Sequence, residues 1–272
     1  MKALRSWCNR QGRWLLASSG AVLVLFLAAP LLGLVLATSF GDLRAGLQQP
    51  LVWPALRLSL TTTSVSLLVV VTFGIPLSWT LARSAGRFAR AIEVLVQVPA
   101  VIPPAVAGVA LLLAFGRRGC FARWLYPEGW SPAFTTVAVI MAEVFVSAPF
   151  FVQAATNAFR RVDENCLVVA RTLGAQPLRV FYRIGLPLAL PGLLAGAAMS
   201  WARSLGEFGA TLMFAGNSSG KTQTLPLAIY TAFESDLGAA QALSVVLMVV
   251  AFSVLLLVRA LLARAAGASL ES

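Results

Sequence analysis

Five stretches of the chain contain no charged residue: Arg13 to Asp42, Arg57 to Arg83, Glu93 to Arg117, Arg183 to Arg203 and Asp236 to Arg259. A sixth, Glu128 to Arg160, contains only Glu143. Crossing a hydrocarbon layer of about 30 Å takes roughly 20 apolar residues in a helix. Lipid offers backbone amides and carbonyls no partner, so each run closes its hydrogen bonds internally as a helix. Barrel strands would be shorter and would alternate in polarity. The expected architecture is an all-α polytopic bundle in one transmembrane domain covering 1–272, with spans near 15–39, 58–82, 95–115, 134–157, 188–212 and 239–262. The first run is too long for a signal-peptide core and lacks a convincing small-residue cleavage site, so it is expected to be retained.

Composition agrees. Of 272 residues, 59% are hydrophobic and 11% charged, against about 25% charged in soluble domains. The chain has no histidine, which excludes His-based metal sites, His general bases and Ser-His-Asp triads. Cys8, Cys120 and Cys166 are scattered, so neither a disulfide framework nor a zinc site is expected. No metal ligand set and no catalytic constellation is expected.

The net charge of +11 would suggest nucleic acid in a soluble chain. Here the charges lie between apolar runs, and topology explains them better. Lysine and arginine accumulate on the cytoplasmic side. With the N-terminus inside, the inner segments hold Lys2, Arg5, Arg10, Arg13, Arg83, Arg87, Arg90, Arg160, Arg161, Arg171, Arg179, Arg183, Arg259 and Arg264. The outer ones hold Arg44, Arg57, Arg117, Arg118, Arg123 and Lys221, with Arg203 inside a span. Fourteen against six favours both termini inside. No nucleic-acid partner is expected; membrane lipid is.

The segment between the fourth and fifth spans, residues 158–187, is too long for a turn. It carries helical periodicity through Leu167, Ala170 and Leu173, then Gly174, then Leu178, Phe181 and Tyr182. Gly174 suits a helix stop, and Pro177 suits a first helical position. A short helix, a glycine break and a second short helix are expected on the inner face.

This stretch resembles the cytoplasmic loop of ABC-importer permeases, in which Glu-Ala-Ala, three residues and Gly are followed after nine residues by Ile, one residue and Leu-Pro. Ala170, Gly174, Ile184, Leu186 and Pro187 match at the right spacing. Val168 and Val169 stand where that pattern has Glu and Ala. The third-span sequence QVPAVIPPAVAGVALLLAFGRRG, and WARSLGEFGATLMFAGN followed by KTQTLPLAIYTAFE, are similar to oxyanion permeases and closest to those for molybdate. The resemblance implies the type I importer permease fold. It implies a homodimer of the permease, two cytoplasmic ABC ATPase subunits, an extracytoplasmic oxyanion-binding protein, and molybdate or tungstate as cargo. ATP and Mg would be used by the partner subunits, with no cofactor on this chain. Ala170, Arg171, Leu173, Gly174, Pro177, Ile184, Leu186 and Pro187 would form the coupling loop to the ATPase.

Polar and broken places in the spans are pathway candidates. Pro103 and Pro104, with Pro99, each remove an amide donor, and freed carbonyls need protein or a water-filled cavity. They make either a pore-facing kink or one that fits neighbouring helices. Arg203 and Glu207 share a helix face; Arg203 lies about 20 Å along the fifth span at 1.5 Å per residue. They form either a gate element or a packing ion pair. Ser200, Ser204 and Thr211 offer hydroxyls to an anion. Gly206 and Gly209 suit close helix approach. Glu143, an intramembrane carboxylate, is expected to have a structural partner, with Arg203 as a candidate, rather than to couple protons.

Residues 215–222, AGNSSGKT, fit a relaxed phosphate-loop pattern. A phosphate loop follows a buried strand and opens a helix. This one follows a span on the outside, so nucleotide binding is not expected. The apolar stretch Leu225–Phe233 beyond it is expected to tuck against the outer face.

Two function classes compete. In a passive pathway subunit, ATP-driven movement of the 158–187 loop switches the bundle between inward-open and outward-open states. A self-contained ion-driven transporter would need coupling carboxylates and paired repeats; only Glu143 qualifies. A sulfate permease remains the alternative within the first class, since both cargoes are tetrahedral dianions.

Overall fold

The structure, a computed structural model, describes residues 2–126 and 130–268. Glu128, which bounds one uncharged stretch, lies outside them, as do the side chains of Lys2, Arg5, Arg10, Arg13, Arg123, Arg259 and Arg264. The described elements are all helices. In order they are α1 (Lys2–Ala37), α2 (Phe40–Gln48), α3 (Val52–Arg83), α4 (Arg87–Val101), α5 (Pro104–Phe115), α6 (Ala122–Leu125), α7 (Thr136–Arg160), α8 (Glu164–Thr172), α9 (Pro177–Val180), α10 (Leu186–Leu205), α11 (Gly209–Ala215), α12 (Leu225–Phe233) and α13 (Leu237–Ala268). A π-turn, Phe181–Gly185, joins α9 to α10.

Five apolar stretches are long enough to cross a membrane: Ser18–Ala37, Val52–Arg83, Thr136–Arg160, Pro177–Leu205 and Leu237–Leu257. The pair α4 and α5 adds a sixth if taken as one bent span. Helix α7 sits at the centre, packed mainly between α3 and α10 and touching α4, α5 and α11. Small residues allow this closeness. A Cβ at Gly196 would lie 2.8 Å from that of Ala154, and one at Gly74 would lie 2.6 Å from the Phe151 ring. Helix α1 touches only α13 appreciably and leaves Leu25, Phe26 and Leu36 exposed.

Three expectations change. The third span is not a straight helix over 95–115: α4 and α5 meet at a bend of 114° at Ile102–Pro103. Pro103 and Pro104 cannot donate to the preceding turn, so the ladder ends and Pro104 opens a new helix at its first position. Glu93 pairs with Arg160 at one end of α7. Ser131, just before the other end, donates to the Phe115 carbonyl at 3.3 Å. The bent pair therefore runs from one end of α7 to the other. The fifth span does not cover 188–212 either: α10 stops at Leu205, and α11 starts at Gly209 after a three-residue break. Nor does the loop extend to 187. Residues 177–205 form one continuous helical rod through the π-turn, so only Arg161 to Gln176 connects α7 to it.

Two short helices were not placed as such by the apolar runs. Helix α2 starts with a capping box: Ser39 Oγ accepts from the Asp42 amide at 3.1 Å, and Asp42 accepts from the Ser39 amide, a pairing that satisfies two orphan donors. Helix α12 is the apolar 225–233 stretch, with Leu225, Leu227 and Ala228 buried. It packs on α13 and α3, and Ser59 Oγ accepts its first amide, that of Leu225, at 2.7 Å.

Candidate functional site

Two places stand out: the exposed helix α8 at the Arg160 end of the bundle, and the pair of breaks within the bundle.

Asp163 caps α8 by accepting from the Asn165 amide at 2.9 Å. The helix closes in a Schellman motif, with the Ala175 amide donating to Ala170 and the Gly174 amide to Arg171. Gly174 has φ +82° and open space around its Cα. It is needed for its conformation, since a side chain there costs about 1–2 kcal/mol. Leu167 is the inward anchor, buried among Phe159, Val162 and Val180. Val168, Val169 and Leu173 point outward, Leu173 at 82% exposure, while Arg171 is exposed one turn beyond Leu167 on the same side as that anchor.

Beneath α8, α3 ends in a tight joint. The Arg83 guanidinium donates to the Phe159 carbonyl at 3.0 Å and stacks 4.9 Å from the centre of Trp79. Trp79 meets Phe159 and Phe181 edge-on at 5.3 and 5.2 Å. A Cβ at Gly185 would lie 2.6 Å from the Trp79 ring. The end of α7, the π-turn and the end of α3 are thus one packed unit on which α8 rides. Ile184 and Leu186 pack into this unit, while Pro177 and Pro187 stay exposed.

The breaks touch each other. A Cβ at Gly209 would lie 3.0 Å from that of Pro104, and one at Gly108 would lie 2.7 Å from the Ala210 carbonyl. So α5 and α11, the far halves of two interrupted helices, pack backbone to backbone. Arg203 Nη1 pairs with Glu207 Oε2 at 2.9 Å across the second break. The other Glu207 oxygen accepts from the Ala210 amide at 2.8 Å and caps α11. Glu207 is buried, and Arg203 keeps about 29% of its side chain exposed.

The sequence candidates therefore separate. Pro103, Pro104, Arg203, Glu207 and Thr211 gather at the double break. The hydroxyls of Ser200 and Ser204 are already occupied: Ser200 donates to the Ser147 carbonyl on α7 at 3.1 Å, and Ser204 to Trp201 at 2.8 Å. Thr211 is fully buried and its hydroxyl has no partner. Glu143 does not pair with Arg203. It accepts from Thr62 Oγ1 on α3 at 2.7 Å, and its second oxygen has no partner.

Residues the sequence reading passed over lie on the Arg160 half of α7. Gln153, Thr156 and Asn157 line a cavity with Gln97 and the Glu93–Arg160 pair. Their signal was available: amides four apart within an otherwise uncharged run share a helix face. The phosphate-loop lookalike follows α11, a helix, and no helix opens at Lys221 or Thr222. Those amides turn back onto the Ser218 carbonyl at 3.1 and 2.9 Å, a compact loop with no free nest for phosphate. No His, Cys, Asp and Glu cluster among the described residues suits a metal ion.

The fold is a polytopic α-helical bundle with an exposed capped helix between two spans. The chain matches the binding-protein-dependent transport system inner membrane component family over residues 74–267, and it belongs to that family. It is a multi-pass inner-membrane protein. It is 45% identical to the molybdenum transport system permease protein ModB of Mycobacterium tuberculosis, over 90% of this chain and 92% of the relative. It is 35% identical to the molybdate/tungstate transport system permease protein WtpB of Pyrococcus abyssi, over 93% and 96%. A bacterial ABC transporter involved in import of the acidic polysaccharide alginate has a chain of the same fold, with TM-score 0.74, 19% identity, and coverage of 96% of this chain and 99% of that one.

Proposed function

We propose that this chain is the membrane pathway of an ATP-driven importer for molybdate, with tungstate as a second cargo. The observation that carries the cargo is the 45% identity to a molybdenum permease over nearly the full length of both chains. The geometry supplies the machinery. A bundle with two interrupted helices in contact has a place where its halves can move apart, because packed interfaces switch between discrete arrangements. Helix α8, anchored through Leu167, Ala170 and the aromatic joint below it, presents Val168, Val169 and Leu173 to a partner.

In this reading α8 faces the cytosol, and so do both termini. Val168, Val169 and Leu173 enter a groove on an ABC ATPase subunit, and Ala170, Arg171, Gly174, Pro177, Ile184, Leu186 and Pro187 hold the lever's shape. Two permease chains, two ATPase subunits and an external oxyanion-binding protein make the working complex. ATP and Mg are bound by the ATPase subunits. Valines at 168 and 169 make the joint apolar where related loops carry an acid. Pro103, Pro104, Arg203, Glu207 and Thr211 form the gate, with the ion pair holding its second break.

Crosslinking tests the joint. A cysteine at Leu173 is expected to crosslink to the ATPase subunit in the assembled complex. A cysteine there that reacts with external reagent in intact cells, and never with the ATPase, would reverse the topology. Calorimetry on the cognate binding protein with molybdate, tungstate and sulfate tests the cargo; tight binding of sulfate alone would overturn it.

A further inference from the structure

An imported dianion needs donors inside the membrane that are not already engaged. At the double break most candidates are committed: Arg203 pairs with Glu207, Ser200 donates to Ser147 and Ser204 to Trp201, while the free hydroxyl of Thr211 is fully buried. Along the other half of α7 they are not. Gln153, Thr156, Asn157 and Arg160 lie on one face, spanning about 10 Å at 1.5 Å per residue. Glu93 and Gln97, four apart on α4, face them. Between them lies a cavity of about 90 Å³, room for about three water-sized groups at roughly 30 Å³ each. Thr156 is 4% exposed, yet its hydroxyl has no partner. Gln97, Gln153 and Asn157 line the groove and are exposed on its open side. Amides facing lipid are costly; polar groups within spans line cavities and pathways.

We infer that this groove between α4 and α7 is a transient subsite for the oxyanion on its way to the cytosol, and that it binds a tetrahedral dianion through the amide and hydroxyl donors of Gln97, Gln153, Thr156 and Asn157. This rests on the oxyanion-importer reading above. The one cation, Arg160, is neutralised by Glu93, so the subsite offers neutral donors only. That suits transit, because a pathway site must hold its ion loosely enough to release it. The position fits too: the groove lies on the α8 side of the 114° bend, after the double break for an incoming anion.

Cysteines at Gln97 and at Gln153, one at a time with Cys8, Cys120 and Cys166 replaced by serine, test this in the full complex in inside-out vesicles. A membrane-impermeant anionic thiosulfonate is expected to label both, and millimolar molybdate to slow labelling about tenfold while chloride at equal ionic strength does not, the protection expected from one or two charge-assisted hydrogen bonds. No labelling, or labelling indifferent to molybdate, overturns the subsite. A second variant, Gln153→Leu with Asn157→Leu, is expected to cut ATP-driven molybdate uptake by about tenfold per donor with an unchanged melting temperature. Equal loss of uptake and of melting temperature would mark these residues as structural and overturn the proposal. The unsubstituted complex separates the two claims. If it takes up no molybdate, the cargo assignment fails and the subsite with it. Uptake with unprotected cysteines removes the subsite alone.

Discussion

Helix α7 carries two polar sets a few turns apart, and they are treated oppositely. Toward Thr136, Glu143 and Ser147 are fully buried at helix joints: Glu143 accepts from Thr62, and the Ser147 carbonyl, though not its hydroxyl, is engaged by Ser200. Toward Arg160, Gln153, Thr156 and Asn157 open onto a cavity. The first set joins helices; the second presents donors to something that comes and goes. Formal charge is a poor guide to which is which. The charged residues Glu143, Arg203 and Glu207 belong to the joining set, and the neutral amides to the open one. A buried polar group is tolerated when its partner is fixed, so the fixed pairs are structure.

Substitutions at the joining set are expected to lower stability, with transport lowered as well at the gate pair Arg203–Glu207, and those at the open set to lower transport alone. The largest effect belongs to Glu207→Ala. It leaves Arg203 without its counter-charge and α11 without its cap, for a loss of about 3 kcal/mol, the low end for a buried pair because Arg203 is partly exposed. The melting temperature in detergent checks it. Gly108→Val comes next at about 2 kcal/mol of overpacking, since its Cβ meets the Ala210 carbonyl; it should also impair uptake by prying the two breaks apart. Glu143→Ala should cost about 1 kcal/mol through the lost hydrogen bond between helices, since the Thr62 hydroxyl keeps only its 3.3 Å bond to the Ser59 carbonyl. Glu143→Gln should cost less, and uptake by that variant should match the unsubstituted complex at every pH. A pH-dependent loss would make Glu143 a proton carrier and collapse the distinction drawn here. Gly174→Ala should cost about 1 kcal/mol yet disturb coupling more than stability, read as ATP hydrolysis no longer stimulated by loaded binding protein.

Much of this was legible in the residues. Uncharged runs gave the number of long apolar spans to within one, since lipid leaves the backbone no alternative. Gly174 was legible because a Schellman cap asks for a left-handed residue at that offset. Pro103 and Pro104 predicted an interruption; its 114° angle was not legible, because it depends on what α5 packs against. Of the two glycines expected to allow close helix approach, Gly209 does so against Pro104, while a Cβ at Gly206 would meet only the Ala202 carbonyl at 3.8 Å. Glu143 has the expected structural partner, Thr62, and only Arg203 as its candidate failed, on register. Helical spacing says which residues share a face of one helix, and nothing local says which face of α3 or α10 it meets. The π-turn was likewise hidden, since Phe181–Gly185 differs from α-helix only by a shift of hydrogen-bond partner that Trp79 accommodates.

The most direct measurement is labelled molybdate uptake into proteoliposomes holding this chain, its ATPase subunit and its binding protein. The expected result is accumulation that requires ATP and the ATPase and ceases when either is withheld. Accumulation that persists without the ATPase and follows an imposed ion gradient would contradict the account.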